Sequence, residues 1–187
     1  MCGLLTYISA HGDAPVRRKA IADALESMHH RGPDDTGVDV VGADAVFAHK
    51  RLAIIDVVSS HEPLPYLNSR YLLTFNGEIY NYLELRKDLA REFGAEFATA
   101  GDGEAIVAGY HYWGESVVDR LRGMFAFVIW DSVERRAFGA RDPYGISLCT
   151  TCRPPTGSTS PARRRRCWAS FRPTATTTST PPRCPTT

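Results

Sequence analysis

The sequence predicts a layered α+β domain over residues 1–146, because strand-like and helix-like segments alternate along this part of the chain. Strands are predicted where short runs are rich in β-branched, aromatic or other apolar residues, at 4–9, 46–55, 71–75 and 124–130. A turn at 131–134 allows 135–139 to return as a hairpin partner. Helices are predicted where apolar residues recur at helical spacing, at 16–28, 81–93 and 103–112.

The predicted helix at 81–93 is amphipathic, with Leu83, Leu85, Leu89 and Phe93 expected on its buried side and charged residues between them. A stripe of this kind requires a sheet or another helix to cover it. The sequence therefore predicts a packed core, which a hydrophobic fraction of 43% can supply.

The chain is long enough, at 187 residues, for one domain or for one domain with an appendage. Its net charge of +1 hides two unlike parts, since residues 147–187 carry seven Arg and no acidic residue, which leaves a net charge of −6 in 1–146. The acidic front part is not expected to bind nucleic acid or a membrane surface. No apolar run suited to a membrane span and no signal peptide is recognised, so we expect a cytoplasmic location.

Cys2 follows Met1 directly, and it lies apart from the other four cysteines, which all fall in residues 147–187. If Met1 is removed, Cys2 carries both a thiol and the free α-amine of the chain. That amine has a pKa of about 7.7–8.0 in model peptides, which suits proton transfer near neutral pH. The alternative is that Cys2 is simply a small residue that follows the start methionine.

Six short motifs follow one another along the front part. They are MCG at 1–3, HRGPD at 30–34, RLAIID at 51–56, FNGEIYN at 75–81, GDGEAI at 101–106 and RDPYGI at 141–146. In identity, order and spacing they resemble the N-terminal glutaminase domain of glutamine-hydrolysing asparagine synthetases, which are class II glutamine amidotransferases. The resemblance implies the N-terminal nucleophile (Ntn) hydrolase fold, a four-layer αββα sandwich.

The resemblance also implies a role for each matching residue. Cys2 would attack the side-chain amide of L-glutamine, form a thioester and release ammonia, after which water would free glutamate. The Asn76 amide and the Gly77 N–H would form the oxyanion hole, where each donor is worth about 2.7–4 kcal/mol. Arg51 would bind the α-carboxylate of glutamine, since its planar fork suits a carboxylate. Glu78 and Asp102 would bind the α-ammonium group, and the segment after Arg51 would line the same pocket through Leu52, Ala53, Ile54 and Ile55.

Several of these residues have an alternative explanation. Arg51 alone would be read as a solvated charge, Asn76-Gly77 as a hairpin turn, and Asp102 as the N-cap of the helix at 103–112. We expect Asp102 to cap that helix while it also binds substrate. His29 and His30 are interpreted as structural rather than as metal ligands or bases, and no metal is expected.

Glu62, before Pro63, stands where the family pattern leads us to expect glutamine. We interpret this as a mild departure outside the catalytic set.

The resemblance ends at Ile146, after which Thr, Pro, Arg and Cys dominate. The family pattern would continue as KPLYY and later SEKKALL. Codons permitted by residues 147–152 and 161–168, read one base out of frame, encode both strings. We therefore interpret 147–187 as a frameshifted tail without regular structure. A disordered linker and a basic binding tail at 163–166 are the alternatives.

Loss of the family's continuation has two expected consequences. Strands that normally extend the sheet after Ile146 would be missing, which would leave an exposed edge. The second domain of the family, which uses ATP and Mg²⁺ to activate aspartate, would be absent, and the glutaminase domain itself needs no cofactor. Family members are often homodimers.

The alternatives to an active glutaminase are an inert product of a broken asparagine synthetase reading frame and a free-standing amidotransferase domain with a basic tail.

Overall fold

The computed structural model describes residues 2–9, 11–53 and 61–147, together with the backbone of Trp168–Phe171. Within these residues the strands are β1 (Gly3–Ile8), β2 (Asp35–Val41), β3 (Ala45–Arg51), β4 (Leu64–Tyr66), β5 (Tyr71–Ile79), β6 (Gly123–Asp131), β7 (Arg136–Arg141) and β8 (Trp168–Phe171). The α-helices are α1 (Ala14–Glu26), α2 (Tyr82–Phe93) and α3 (Gly103–Trp113), and 3-10 turns occupy His29–Arg31 and Gly114–Asp119.

The strands form two antiparallel sheets. The first has the order β1-β3-β2 and the second has the order β4-β5-β6-β7-β8. Helix α1 packs on the first sheet, α3 packs on the second with α2 beside it, and the two sheets meet through β1, β3 and β5. The layers therefore run helix, sheet, sheet, helix, which confirms the predicted α+β sandwich.

The main apolar core lies between the second sheet and helices α2 and α3. It is rich in aromatic side chains, and its largest fully buried members include Phe125, Phe127, Phe138, Leu73 and Ile79. A smaller cluster fills part of the space between the sheets, and it consists of Ala45, Phe47, Leu72, Trp130 and Ala137. This smaller cluster leaves room between the sheets for polar residues nearer the ends of β3 and β5.

Most predicted elements are present, with shifted ends. The predicted strand at 46–55 is β3, which ends at Arg51, and its last residues lie outside the described part of the chain. Strand β2 was not predicted, because Asp35, Gly37 and Asp39 within it are poor strand formers. The buried side predicted for α2 is partly wrong. Leu85 and Leu89 are buried, but Leu83 is 57% exposed. Leu83 is two residues from Leu85, and two residues along a helix turn the side chain by more than half a circle.

The chain segment after Ile146 contains one strand where the sequence predicts none. In β8, Trp168 pairs with Ala140 and Phe171 pairs with Ala137 of β7. The prediction of a tail without regular structure does not hold for these four residues, and this part of the expected open edge is occupied. An edge strand offers unpaired N–H and C=O groups to any extended segment, and aromatic residues favour strands. The remaining residues of the tail, from 148 on, lie outside the described part, and the frameshift stays a prediction.

Candidate active site

The candidate active site is a pocket at one end of the cleft between the two sheets. The start of β1, the end of β3, the second half of β5 and the start of α3 all contribute to it. The lining residues are Cys2, His49, Arg51, Leu52, Glu62, Phe75, Asn76, Gly77, Glu78, Asp102, Gly103, Met124 and Ser147. The pocket thus gathers residues from four of the six motifs, which lie far apart in the sequence.

Cys2 is held at the mouth of this pocket from two directions. Its Sγ accepts a hydrogen bond from the Leu52 N–H at 3.2 Å, and its main-chain carbonyl accepts one from Arg31 Nε at 3.1 Å. Arg31 belongs to the 3-10 turn whose following residue, Gly32, lies against β3 so closely that a Cβ there would be 2.3 Å from the Lys50 carbonyl oxygen. The HRG sequence therefore forms a turn that fixes residue 2 beside the end of β3.

The thiol of Cys2 is not activated by its surroundings. Burial raises its pKa, and the negative charge of Glu62 acts in the same direction. The Leu52 N–H and the positive charge of Arg51 lower it, but the net shift is upward. At neutral pH the group is therefore mainly a protonated thiol, and it needs a base to become a nucleophile.

Asn76 and Gly77 lie in the middle of β5 and not in a turn, since they pair with Ala126 and Phe125 of β6. Asn76 is buried, and its main-chain carbonyl accepts a hydrogen bond from the Ser147 hydroxyl at 3.4 Å. Gly77 has a φ of 154°, and a Cβ at this position would lie 2.0 Å from the Met124 carbonyl oxygen. Only glycine fits there, because any side chain would collide with the neighbouring strand.

One cationic and three acidic side chains line the pocket. Arg51, at the end of β3, is only 7% exposed, so it is not a solvated surface charge. Glu78 follows Gly77 on β5, Asp102 precedes α3, and Glu62 lies between β3 and β4. A pocket with both signs of charge suits a ligand that is itself a zwitterion.

Asp102 occupies the N-cap position of α3 but makes no side-chain capping hydrogen bond. Its Oδ2 accepts a hydrogen bond from the Ile79 N–H at 2.9 Å instead. The prediction that Asp102 caps the helix with its side chain is therefore wrong, because the carboxyl group is turned toward the main chain of β5. Burial raises the pKa of Asp102, although the Ile79 N–H opposes that shift.

Glu62 and His49 form a buried contact in the lining of the pocket. His49 Nδ1 lies 3.0 Å from Glu62 Oε2 and 2.9 Å from the Thr74 hydroxyl, and Glu62 Oε2 also accepts a hydrogen bond from the Phe75 N–H at 2.7 Å. The His49 side chain is 1% exposed and the Glu62 side chain is 9% exposed. Burial raises the pKa of Glu62 well above its ordinary value and lowers the pKa of His49 to about 4.

The structure brings most of the predicted site residues together. Those that line the pocket are Cys2, Arg51, Leu52, Asn76, Gly77, Glu78 and Asp102. Ala53 does not line it, and its N–H donates to Asp34 at 2.9 Å, while Ile54 and Ile55 lie outside the described residues. His29 and His30 are exposed in their turn, away from the pocket lining.

Sequence reasoning missed His49 and placed Glu62 outside the catalytic set; both residues line the same pocket as Cys2. The only sequence signal was the departure from the family pattern at position 62. His49 gave no signal, because a buried histidine on a strand is ordinary and its contacts depend on where the residues before β4 place Glu62 and on how the two sheets face each other.

The comparisons with known proteins agree with this fold. A family model described as a glutamine amidotransferase domain matches residues 1–150. The chain belongs to this family of glutamine amidotransferase domains. The curated relatives indicate more narrowly that it is the N-terminal glutamine amidotransferase domain of an asparagine synthetase.

The chain is similar to a Mycobacterium tuberculosis H37Rv protein provisionally named a glutamine-hydrolyzing asparagine synthetase, with 54% identity over 159 residues that cover 78% of this chain and 24% of that protein. It is 40% identical over 151 residues to glutamine-hydrolyzing asparagine synthetase 1 of Bacillus subtilis 168, covering 78% of this chain and 23% of that protein. The chain therefore spans about a quarter of the length of these curated relatives.

A solved structure supports the fold. Glutamine phosphoribosylpyrophosphate amidotransferase from B. subtilis, complexed with ADP and GMP, matches with a TM-score of 0.60 and 20% identity, covering 77% of this chain and 38% of that one. This likeness confirms the predicted Ntn hydrolase fold. No helix within the described ranges has the length and apolar character that crossing a membrane requires.

Proposed function

We propose that this chain hydrolyses the side-chain amide of L-glutamine through a thioester on Cys2. The observation that carries the proposal is the meeting of Cys2, Arg51, Asn76, Gly77 and the acidic pair Glu78 and Asp102 in one pocket. Nucleophile, oxyanion donors and partners for a zwitterionic amino acid are the parts that amide hydrolysis of glutamine requires.

The first step needs a base, because burial keeps the Cys2 thiol protonated near neutral pH. Removal of Met1 would convert the main-chain nitrogen of Cys2 into an amine on the residue that bears Sγ. This amine takes the thiol proton as Sγ attacks the amide carbon of glutamine, and it returns the proton to the leaving nitrogen, which departs as ammonia. Water then attacks the thioester, which yields glutamate and restores the thiol.

The polar residues of the pocket stabilise the two ends of the substrate. Arg51 binds the α-carboxylate, while Glu78 and Asp102 bind the α-ammonium group. The Asn76 amide and the Gly77 N–H donate to the oxyanion that forms on the amide oxygen, where a preorganised donor is worth about 2.7–4 kcal/mol. The close packing of Gly77 against Met124 keeps this segment of β5 rigid.

The ammonia is proposed to serve ATP-dependent amidation of aspartate, as the names of the curated relatives suggest. That step is not assigned to residues 1–187 alone, which span about a quarter of the length of those relatives. The chain by itself is therefore expected to release glutamate and ammonia without ATP.

The proposal is tested by measuring glutamate release from glutamine by the full chain with Met1 removed. Cys2→Ala is expected to lower kcat by about 10⁴-fold or more, because the nucleophile is lost. Cys167→Ala is the matched control, since it removes a thiol from the tail, and it should retain parental activity. Equal activity of Cys2→Ala and the parent would disprove the proposed role of Cys2.

The competing possibility is an inert product of a broken reading frame. It predicts a chain that unfolds without cooperativity and does not hydrolyse glutamine. We expect instead a cooperative thermal transition, because the apolar core between the second sheet and α2 and α3 lies entirely within the described residues. Calorimetry on the same preparation that is assayed for activity distinguishes these outcomes.

A further inference from the structure

The Glu62–His49 pair can exist in two protonation states that differ by one proton and leave its heavy atoms in the same positions. If Glu62 is ionised, a neutral His49 that carries its proton on Nδ1 donates it to the Thr74 hydroxyl, and Oε2 lies 3.0 Å from the same nitrogen. If Glu62 is protonated, Oε2–H donates to a His49 that is protonated at the other ring nitrogen. In both states Oε2 still accepts from the Phe75 N–H, and the Thr74 hydroxyl serves as donor or acceptor as required.

The two states differ by one negative charge in the lining of the pocket that holds Cys2. The first state carries a net charge of −1 on the pair, and the second carries none. Little water reaches the pair, since the two side chains are only 1% and 9% exposed. A charge that is buried in this way is poorly screened and acts strongly on neighbouring ionisable groups.

The charged groups around the pair come from several elements. Arg51 is on β3 beside His49, Asp102 precedes α3, and Glu78 lies on β5. Asp35 on β2 contacts His61, which precedes Glu62 in the chain, with 2.9 Å between Asp35 Oδ2 and His61 Nδ1. The positive charge of Arg51 favours ionised Glu62, whereas burial and the negative charge of Asp102 oppose it.

We propose that the Glu62–His49 pair sets the reactivity of Cys2, with Glu62 acting as a positioning residue whose negative charge, once formed, opposes formation of the Cys2 thiolate. The thiol and the pair then titrate as coupled groups, so the reactivity of Cys2 rises less steeply with pH than that of a single thiol. Any effect of the pair on glutamine turnover rests on the proposed function. The effect of the pair on the reactivity of the Cys2 thiol does not.

The directions of the pKa shifts agree with this coupling. Burial raises the pKa of Glu62 well above its ordinary value, which brings its titration toward the pH range in which a thiol ionises. Burial lowers the pKa of His49 to about 4, so the ring stays neutral while Glu62 loses its proton. Ionised Glu62 in turn contributes to the raised pKa of Cys2.

The test is the rate of alkylation of Cys2 by iodoacetamide between about pH 6 and about pH 10, followed by mass spectrometry of the N-terminal peptide so that tail cysteines do not contribute. The full chain is compared with Glu62→Gln. The amide keeps the shape of the side chain, and its oxygen in the place of Oε2 can accept from the Phe75 N–H and lie beside a His49 that carries its proton on Nδ1. Glu92→Gln, on the exposed surface of α2, is the matched control for loss of one carboxylate.

We expect Glu62→Gln to give a steeper profile with a single step and a midpoint about 0.5–1 pH unit lower than that of the parent. Near pH 8 this corresponds to alkylation about three- to ten-fold faster. Glu92→Gln should reproduce the parental profile. A Glu62→Gln profile that coincides with that of the parent would overturn the inference.

A second measurement distinguishes failure of this inference from misfolding of the variant and from failure of the proposed function. Because the pKa of Glu62 is raised in the folded state, its protonated form stabilises the fold, and this stability is lost as pH rises. The free energy of unfolding of Glu62→Gln should therefore rise relative to the parent from about pH 5 to about pH 9. A constant difference would contradict a titrating Glu62. If the parent does not hydrolyse glutamine while Glu62→Gln still shifts the alkylation profile, the proposed function is disproved and this inference stands.

Discussion

One face of strand β5 is apolar along its length, whereas the opposite face changes from apolar to polar toward the candidate active site. The first face presents Leu73, Phe75 and Ile79 to the core under α2 and α3. The second face begins with Leu72 between the sheets and continues with Thr74, which contacts His49, and with Asn76 in the pocket. Opposite faces of one strand therefore serve mainly packing or mainly chemistry, although Phe75 of the core also lines the pocket.

The comparison shows how one strand can anchor the fold and still present an active site. Because side chains alternate along a strand, the packing of odd-numbered residues does not depend on what the even-numbered residues do. Substitutions on opposite faces of β5, such as those at Leu73 and Asn76, should therefore affect mainly stability or mainly activity. This separation can be tested directly.

The largest effect on activity along β5 is expected for Asn76→Ala. Loss of a donor to the oxyanion should lower kcat for glutamine hydrolysis by about 100- to 1,000-fold with little change in KM. The free energy of unfolding should change little, since the main-chain contact from Ser147 to the residue 76 carbonyl is retained. Steady-state kinetics and urea unfolding of the same protein check both parts. A parallel loss of kcat and stability would contradict the separation of the two faces.

The opposite result is expected for Leu73→Ala, on the apolar face. Leu73 is fully buried, and large-to-small changes at such sites cost about 2–5 kcal/mol in free energy of unfolding. Activity per folded molecule should remain within a few-fold of the parent, because Leu73 is not in the pocket lining. Urea unfolding measures the loss, with Leu83→Ala on the exposed side of α2 as a control that should cost far less. If Leu73→Ala lowered kcat as much as Asn76→Ala, the comparison would fail.

A smaller effect, dependent on pH, is expected for Asp142→Asn. Asp142 is buried after β7 and accepts main-chain hydrogen bonds from Tyr144 and Ile146 on Oδ1 and from Phe125 and Ser147 on Oδ2. An amide leaves the N–H groups that face Oδ2 without an acceptor, at a cost of about 1–3 kcal/mol.

The sign of the pH dependence follows from the pKa of Asp142. Burial alone would raise it, but the main-chain N–H donors lower it below its ordinary value. The carboxylate therefore stabilises the fold above its unfolded pKa, and this stability is lost as pH falls through the folded pKa. The difference in unfolding free energy between parent and Asp142→Asn should be largest near pH 7 and should shrink below about pH 4. A difference that did not change with pH would exclude this contribution.

The pocket could be predicted from sequence to the extent that its residues belong to short motifs with family-like spacing. Cys2, Arg51, Asn76, Gly77, Glu78 and Asp102 were all identified in this way, and all line it. The roles given to them remain predictions.

The contacts of His49 could not be predicted, because they depend on where the residues before β4 place Glu62 and on how the two sheets face each other. His49 lies on the first sheet and Thr74, its other partner, on the second. No local pattern records which residues of two separate sheets will meet. Strand β2 was missed for a different reason, since its glycine and polar residues resemble a loop until β3 pairs with them.

The hydrogen bond from Arg31 to the Cys2 carbonyl has a practical consequence for the design of expression plasmids. The Cys2 carbonyl and Sγ are both held by hydrogen bonds, so residue 2 is fixed beside the end of β3. A purification tag fused at the Cys2 nitrogen would keep it an uncharged amide and would remove the base that the proposed mechanism requires. A tag at the other end of the chain, or a fusion cleaved directly before Cys2, leaves the nitrogen free.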